Sequence, residues 1–128
     1  MNEGSRSSSR KPIESITGEA LSGVAFVQDY VEFQFDGMIV RSLTMPVVAT
    51  DNARYLFPEP GSRDALCALI GAVVQSVMVR EGREIEISMS GGSKVKIPLV
   101  ANENSGPEAA HFVSGLNQPI DVWLVNPS

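Results

Sequence analysis

Residues 61–99 read GSRDALCALIGAVVQSVMVREGREIEISMSGGSKVKIPL, and this stretch decides the expected fold. Ser62 suits a helix N-cap, Asp64 sits in the first turn where the helix dipole favours a carboxylate, and Gly71 suits a left-handed C-terminal position. Between them Ala65, Leu66, Leu69 and Ile70 recur at helical spacing. A helix of about nine residues is marginal in water by itself, so it requires a sheet to pack on. The sheet follows at once. Ile85, Ile87 and Met89 alternate with Glu84, Glu86 and Ser88, and Val95, Ile97 and Leu99 alternate with Lys94, Lys96 and Pro98. A three-residue loop, Gly91 to Ser93, pairs Met89 with Val95, Ile87 with Ile97 and Ile85 with Leu99, whereas a two-residue loop would set Lys94 against Met89. The loop Glu81-Gly82-Arg83 likewise pairs Val79 with Ile85 and Val77 with Ile87. The apolar side of this meander gains about 10 to 25 kcal/mol of gross burial energy before entropy is subtracted.

Upstream, Val31, Phe33 and Phe35 alternate with Glu32 and Gln34 and run into Asp36-Gly37, a two-residue hairpin signal. That turn sets Phe35 opposite Met38, Phe33 opposite Val40, Val31 opposite Ser42 and Glu32 opposite Arg41. Val24 to Val27 extends this strand or forms a short one of its own, and Pro46 ends the second. Downstream, Pro107 and Glu108 read as the opening of a short helix through Phe112, and Ile120 to Val125 as a closing strand carrying Trp123. The expected order is β-β-α-β-β-β-(α)-β: an α+β fold with a mainly antiparallel sheet and one main helix packed on it. Residues 1–18 read as a disordered N-terminal tail rich in serine and charge, and residues 19–128 as a single α+β domain.

The chain has 128 residues, 43% of them apolar, and a net charge of −5. The first eleven residues hold three of the ten cations and one of the fifteen carboxylates, so the remainder carries seven against fourteen. An acidic domain with scattered cations disfavours nucleic acid as a partner and would draw in a basic protein from a distance. Cys67, the single cysteine, excludes an internal disulfide and suits a reducing cytoplasm. No apolar run resembles a signal peptide or approaches the roughly 20 residues of a membrane span. Oligomeric state is left open.

No catalytic triad, metal-ligand cluster, phosphate loop or nucleotide fingerprint occurs, and no cofactor or metal is expected. His111, the only imidazole, is a candidate base for Cys67 or a serine, or equally a packing or surface residue. Cys67 is a candidate nucleophile beside Arg63, or a small buried hydrophobe. Glu84 and Glu86 face solvent in this reading, with Arg80 and Lys96 as cross-strand partners. Trp123 is a candidate partner anchor or a core residue. Arg54, Arg63, His111 and Trp123 are the candidate wall groups of a ligand or partner site.

Phe35-Asp36-Gly37, Leu43, Pro46, Arg63-Asp64-Ala65-Leu66, Leu69-Ile70-Gly71 and Gly106-Pro107-Glu108 together resemble a group of small uncharacterised bacterial proteins of unknown function, over residues 24–125. That resemblance brings no activity or catalytic residue with it. In size, acidity and α+β make-up the chain is also similar in type to the immunity proteins that neutralise bacterial toxins. The expected function is a cytoplasmic bacterial binding module, immunity-like, acting through an acidic preformed surface on a basic protein without covalent chemistry. The alternatives are a small-metabolite-binding domain and, behind it, a hydrolase.

Overall fold

The computed structural model describes residues 12–28, 30–101, 106–115 and 119–127. Among the described residues the chain is mostly β, with two antiparallel sheets, one short helix and one 3-10 turn. The expected α+β architecture with a main helix is therefore corrected. The strands are β1 (Gly23–Val27), β2 (Tyr30–Phe35), β3 (Met38–Ser42), β4 (Val47–Ala49), β5 (Arg54–Leu56), β6 (Val74–Arg80), β7 (Glu84–Met89), β8 (Lys94–Pro98), β9 (Glu108–Ser114) and β10 (Pro119–Leu124). One five-stranded sheet has the order β1-β2-β3-β9-β10 and the other β5-β4-β8-β7-β6.

The β2–β3 hairpin has the register its sequence dictates, with Phe33 opposite Val40 and Glu32 opposite Arg41. Asp36 and Gly37 both hold positive φ, 45° and 89°, as a tight two-residue turn demands. The β6–β7 pairing also matches, Val79 lying opposite Ile85 and Val77 opposite Ile87. The β7–β8 pairing differs by two residues: Ile87 meets Val95 and Ile85 meets Ile97. The Met89 N–H donates to the Ser93 carbonyl at 2.8 Å, so the loop is Ser90 to Gly92. Gly91 and Gly92 at φ 88° and 91° supply the left-handed geometry. A shift of two preserves the side-chain faces, and Ile85, Ile87, Met89, Val95, Ile97 and Leu99 are all buried.

What covers those side chains is the other sheet. Phe33, Phe35, Val40, Ala110, Phe112 and Trp123 share one core cluster with them. The helix, α1 (Ser62–Cys67), has only six residues and contributes Leu66 to the core. Ile70, expected in the apolar stripe, lies past the helix end and is 46% exposed. The expected N-cap also moves: Gly61 caps the helix at φ 89° with no side-chain cap, while Ser62 is buried with an unpartnered Oγ.

The helix expected from Pro107 to Phe112 is instead strand β9, which lies between β3 and β10. A strand flanked on both sides and buried on both faces loses its polar alternation. Ala109, Ala110, Phe112 and Val113 are all buried, and that run imitates a helix in sequence.

Two seams close the edges between sheets. Gly18 and Leu21 donate to the carbonyls of Val74 and Ala72, each at 2.8 Å, and the 3-10 turn Pro12–Ile16 seats Ile13 and Ile16 in the core. Chain expected to belong to a solvated tail thus packs from Pro12 onward, while residues 1–11 lie outside the described residues. At the other seam Asn126 donates to Leu99 and accepts from Ala101, both at 2.8 Å. Where the chain crosses between sheets, the buried Ser42 and Thr44 are satisfied: Ser42 Oγ donates to the Thr44 carbonyl at 2.8 Å and Thr44 Oγ1 to the Pro98 carbonyl at 2.7 Å.

Phe33→Ala should lower unfolding stability by about 3 to 5 kcal/mol through transfer and cavity terms. Ile70→Ala should change it by no more than about 0.5 kcal/mol, as an exposed site does. Urea unfolding of both variants checks the assignment, and a large loss at Ile70 would mean that the helix stripe does pack.

Candidate functional site

Beneath α1 the described surface opens into a cleft of about 480 Å³, walled by Thr50, Tyr55, Gly61, Asp64, Leu69 and Ser93 among others. Each wall has a local cause. Thr50 Oγ1 accepts from the Ala53 N–H at 3.0 Å and shapes the β4–β5 turn. Tyr55, opposite Val48 in that hairpin, lies against Gly61. A β-carbon built on Gly61 would sit 3.4 Å from the Tyr55 ring, so glycine serves both the positive φ and the close approach. Asp64, in the first turn of α1, presents the one carboxylate on the wall. Asp51 follows the lining residue Thr50, and its Oδ2 lies 3.6 Å from a β-carbon built on Gly92, the neighbour of the lining residue Ser93. Among the described residues no ion pair or side-chain hydrogen bond engages Asp51 or Asp64. The cleft wall holds hydroxyls, apolar groups and a carboxylate, with no cation.

Arg54, Arg63, His111 and Trp123 do not form a shared site. Arg54 is exposed on the edge strand β5 and lines a separate recess of about 250 Å³ with Val47, Leu56 and Glu59. Arg63, also exposed, lies over the Phe57 and Phe26 rings at 5.0 and 5.8 Å. Trp123 is a core residue, 9% exposed, and points inward beside Ala110. That burial matches the core reading that the sequence offers beside the anchor one.

His111 sits on the outer face of β9, opposite Arg41. The Arg41 Nη1 lies 3.1 Å from Nδ1, and Nε2 lies 2.7 Å from Glu108 Oε1. A guanidinium can only donate, so Nδ1 accepts and Nε2 carries the proton that it donates to Glu108. Arg41 Nε in turn donates to Glu32 Oε2 at 2.9 Å. The four side chains form a chain, Glu32, Arg41, His111, Glu108, and neither Cys67 nor a serine belongs to it. Cys67, expected as a small buried hydrophobe, is exposed because the helix ends there and Leu66 takes the inward position. Among the described residues no group of three His, Cys, Asp or Glu side chains is placed to hold a metal ion, and no helix is long and apolar enough to cross a membrane.

On the outer face of the second sheet, Arg80 bonds Glu84 at 2.6 Å and Glu86 at 2.8 Å, and Lys94 approaches Glu86 at 3.4 Å. Arg80 is thus the partner the sequence proposed, and Lys94 stands in place of Lys96. Glu86, expected in solvent, is only 8% exposed. The Arg80 hydrogen bond, with help from Lys94 and against the cost of burial, holds its carboxyl below the ordinary value of 4.5. The same bond raises the Arg80 guanidinium.

The cleft residues Thr50, Tyr55, Asp64 and Ser93 escaped the sequence reading because each had a sufficient local role in a turn, strand or helix start. The single signal available was Gly61 directly before Ser62, Arg63 and Asp64, a helix opening on a glycine rather than a capping side chain. Comparison with protein families, with curated proteins and with solved structures returns no match.

A carboxyl whose folded value is depressed stabilises the fold above its unfolded value, and that contribution is lost as pH falls through the folded value. Acidification below about pH 4.5 should therefore cost the wild-type chain stability that Glu86→Gln never had. Denaturant unfolding between pH 6 and pH 3 (roughly the carboxylate range) should show a shallower acid slope in Glu86→Gln. Equal slopes would show that the Arg80 pairing contributes nothing.

Proposed function

We propose that this chain is a non-covalent binding module whose cleft beneath α1 receives a cationic side chain of a basic protein partner. The observation that carries the reading is the unpaired Asp64 carboxylate set among Thr50, Tyr55 and Ser93, with no cation among the described wall residues. Desolvated ammonium or guanidinium donors make their strongest bonds to such a carboxylate, and neighbouring hydroxyls take the remaining donors. The net charge of −5 adds long-range attraction for a basic partner. A small surface module that captures a basic protein in a reducing cytoplasm is immunity-like in kind, and this remains a likeness of type.

A second reading has its own support. The cleft volume of about 480 Å³ falls within the range of about 300 to 1,000 Å³ typical of small-molecule sites. The same donor-seeking wall then takes a metabolite amine, and a ligand at 100 times its dissociation constant adds about 2.7 kcal/mol to folding stability.

An arginine-rich peptide serves as probe for the first reading and spermidine for the second, each followed by amide chemical shifts of the full chain. The peptide should shift Thr50, Asp64 and Ser93, and Asp64→Asn should weaken it about tenfold, the worth of one charge-assisted bond. Its association rate should fall steeply with added salt. Spermidine binding with no peptide binding would favour the metabolite reading. Shifts from neither probe would remove the cleft from consideration.

A further inference from the structure

A smaller cleft of about 260 Å³, sharing no lining residue with the acidic one, opens between the segment after β3 and the turn after β5. Its walls include Gln28, Tyr30, Leu43, Met45, Phe57 and Pro58, and among the described residues none that lines it is charged. Both aromatic walls are backed by guanidinium groups. Arg41 lies 5.2 Å from the Tyr30 ring centroid, but its charge is taken up by Glu32 at 2.9 Å. Arg63 lies 5.0 Å from the Phe57 ring, which itself stacks on Phe26 with centroids 5.7 Å apart and planes at 14°. Among the described residues no carboxylate pairs with Arg63. Around it Phe26, Val27 and Leu56 remain 37%, 41% and 38% exposed.

We propose that this cleft docks an extended proline-rich segment of a partner protein, with proline rings against Tyr30 and Phe57 and an adjacent carboxylate on Arg63. The volume lies below the usual range for a whole metabolite, about 300 Å³ upward, and suits side chains presented by a larger molecule. Uncharged aromatic walls favour polyproline segments, because a preformed extended helix loses little entropy on docking and its rings stack flat. Arg63 supplies the charge preference: its guanidinium is already oriented by two rings and lacks an anion. Tyrosine, phenylalanine, methionine and arginine are also residue types enriched at protein interfaces. This surface is separate from the Asp64 cleft, so either can fail without the other.

The probes are a polyproline peptide ending in two aspartates and the same peptide ending in two lysines, each titrated into the full chain. Methyl and ring resonances of Met45, Tyr30 and Phe57 should move with the aspartate peptide. The lysine peptide should bind about fivefold more weakly, the upper end for an exposed ion pair. Arg63→Ala, at an exposed position, should abolish that preference while residual binding persists, and Asp64→Asn should leave it intact. The proposal is overturned if those resonances stay still at millimolar aspartate peptide, if wild type does not distinguish the peptides, or if Arg63→Ala retains the distinction.

Discussion

Burial of two apolar sheet faces against each other is the constraint on which every other feature rests. Phe33, Phe35 and Phe112 on one side meet Ile85, Ile87 and Ile97 on the other, all at 1% exposure or less. Each sheet alone would leave a row of large hydrophobic groups in water, and among the described residues no helix is long enough to cover either. Because interiors pack at crystal-like density, each contact fixes its neighbours. The 3-10 turn with Ile13 and Ile16, and the C-terminal pairing of Asn126, close the space between the sheets.

Helix α1 buries Ser62 and Leu66, while Arg63, Asp64 and Cys67 are exposed. Consecutive helix positions point about 100° apart, so Arg63 and Asp64 serve different surroundings from one turn. Asp64 faces a cleft of hydroxyls and Arg63 a pair of stacked rings.

The outer faces show a different economy of charge. Glu32, Arg41, His111 and Glu108 occupy one another in a chain across the first sheet, and Arg80, Glu84, Glu86 and Lys94 do so across the second. Such partly buried networks satisfy polar groups that would otherwise be costly to desolvate. They also explain why His111, the obvious imidazole in sequence, is structurally committed on both ring nitrogens.

Strand periodicity and turn chemistry were enough to determine the hairpin at Asp36-Gly37, the β6–β7 register and the identity of the core face between Ile85 and Leu99, because these depend on neighbours a few residues apart. The sequence also carried the acidic balance and the lone cysteine. It could not show that Ala109, Ala110, Phe112 and Val113 form a central strand, since burial on both faces erases the alternation that marks one. Nor could it show that a second sheet, rather than the segment around Ile70, covers the first, or that Thr50, Asp64 and Ser93 converge. Those outcomes depend on contacts between elements tens of residues apart, and local propensity says nothing about which distant faces meet.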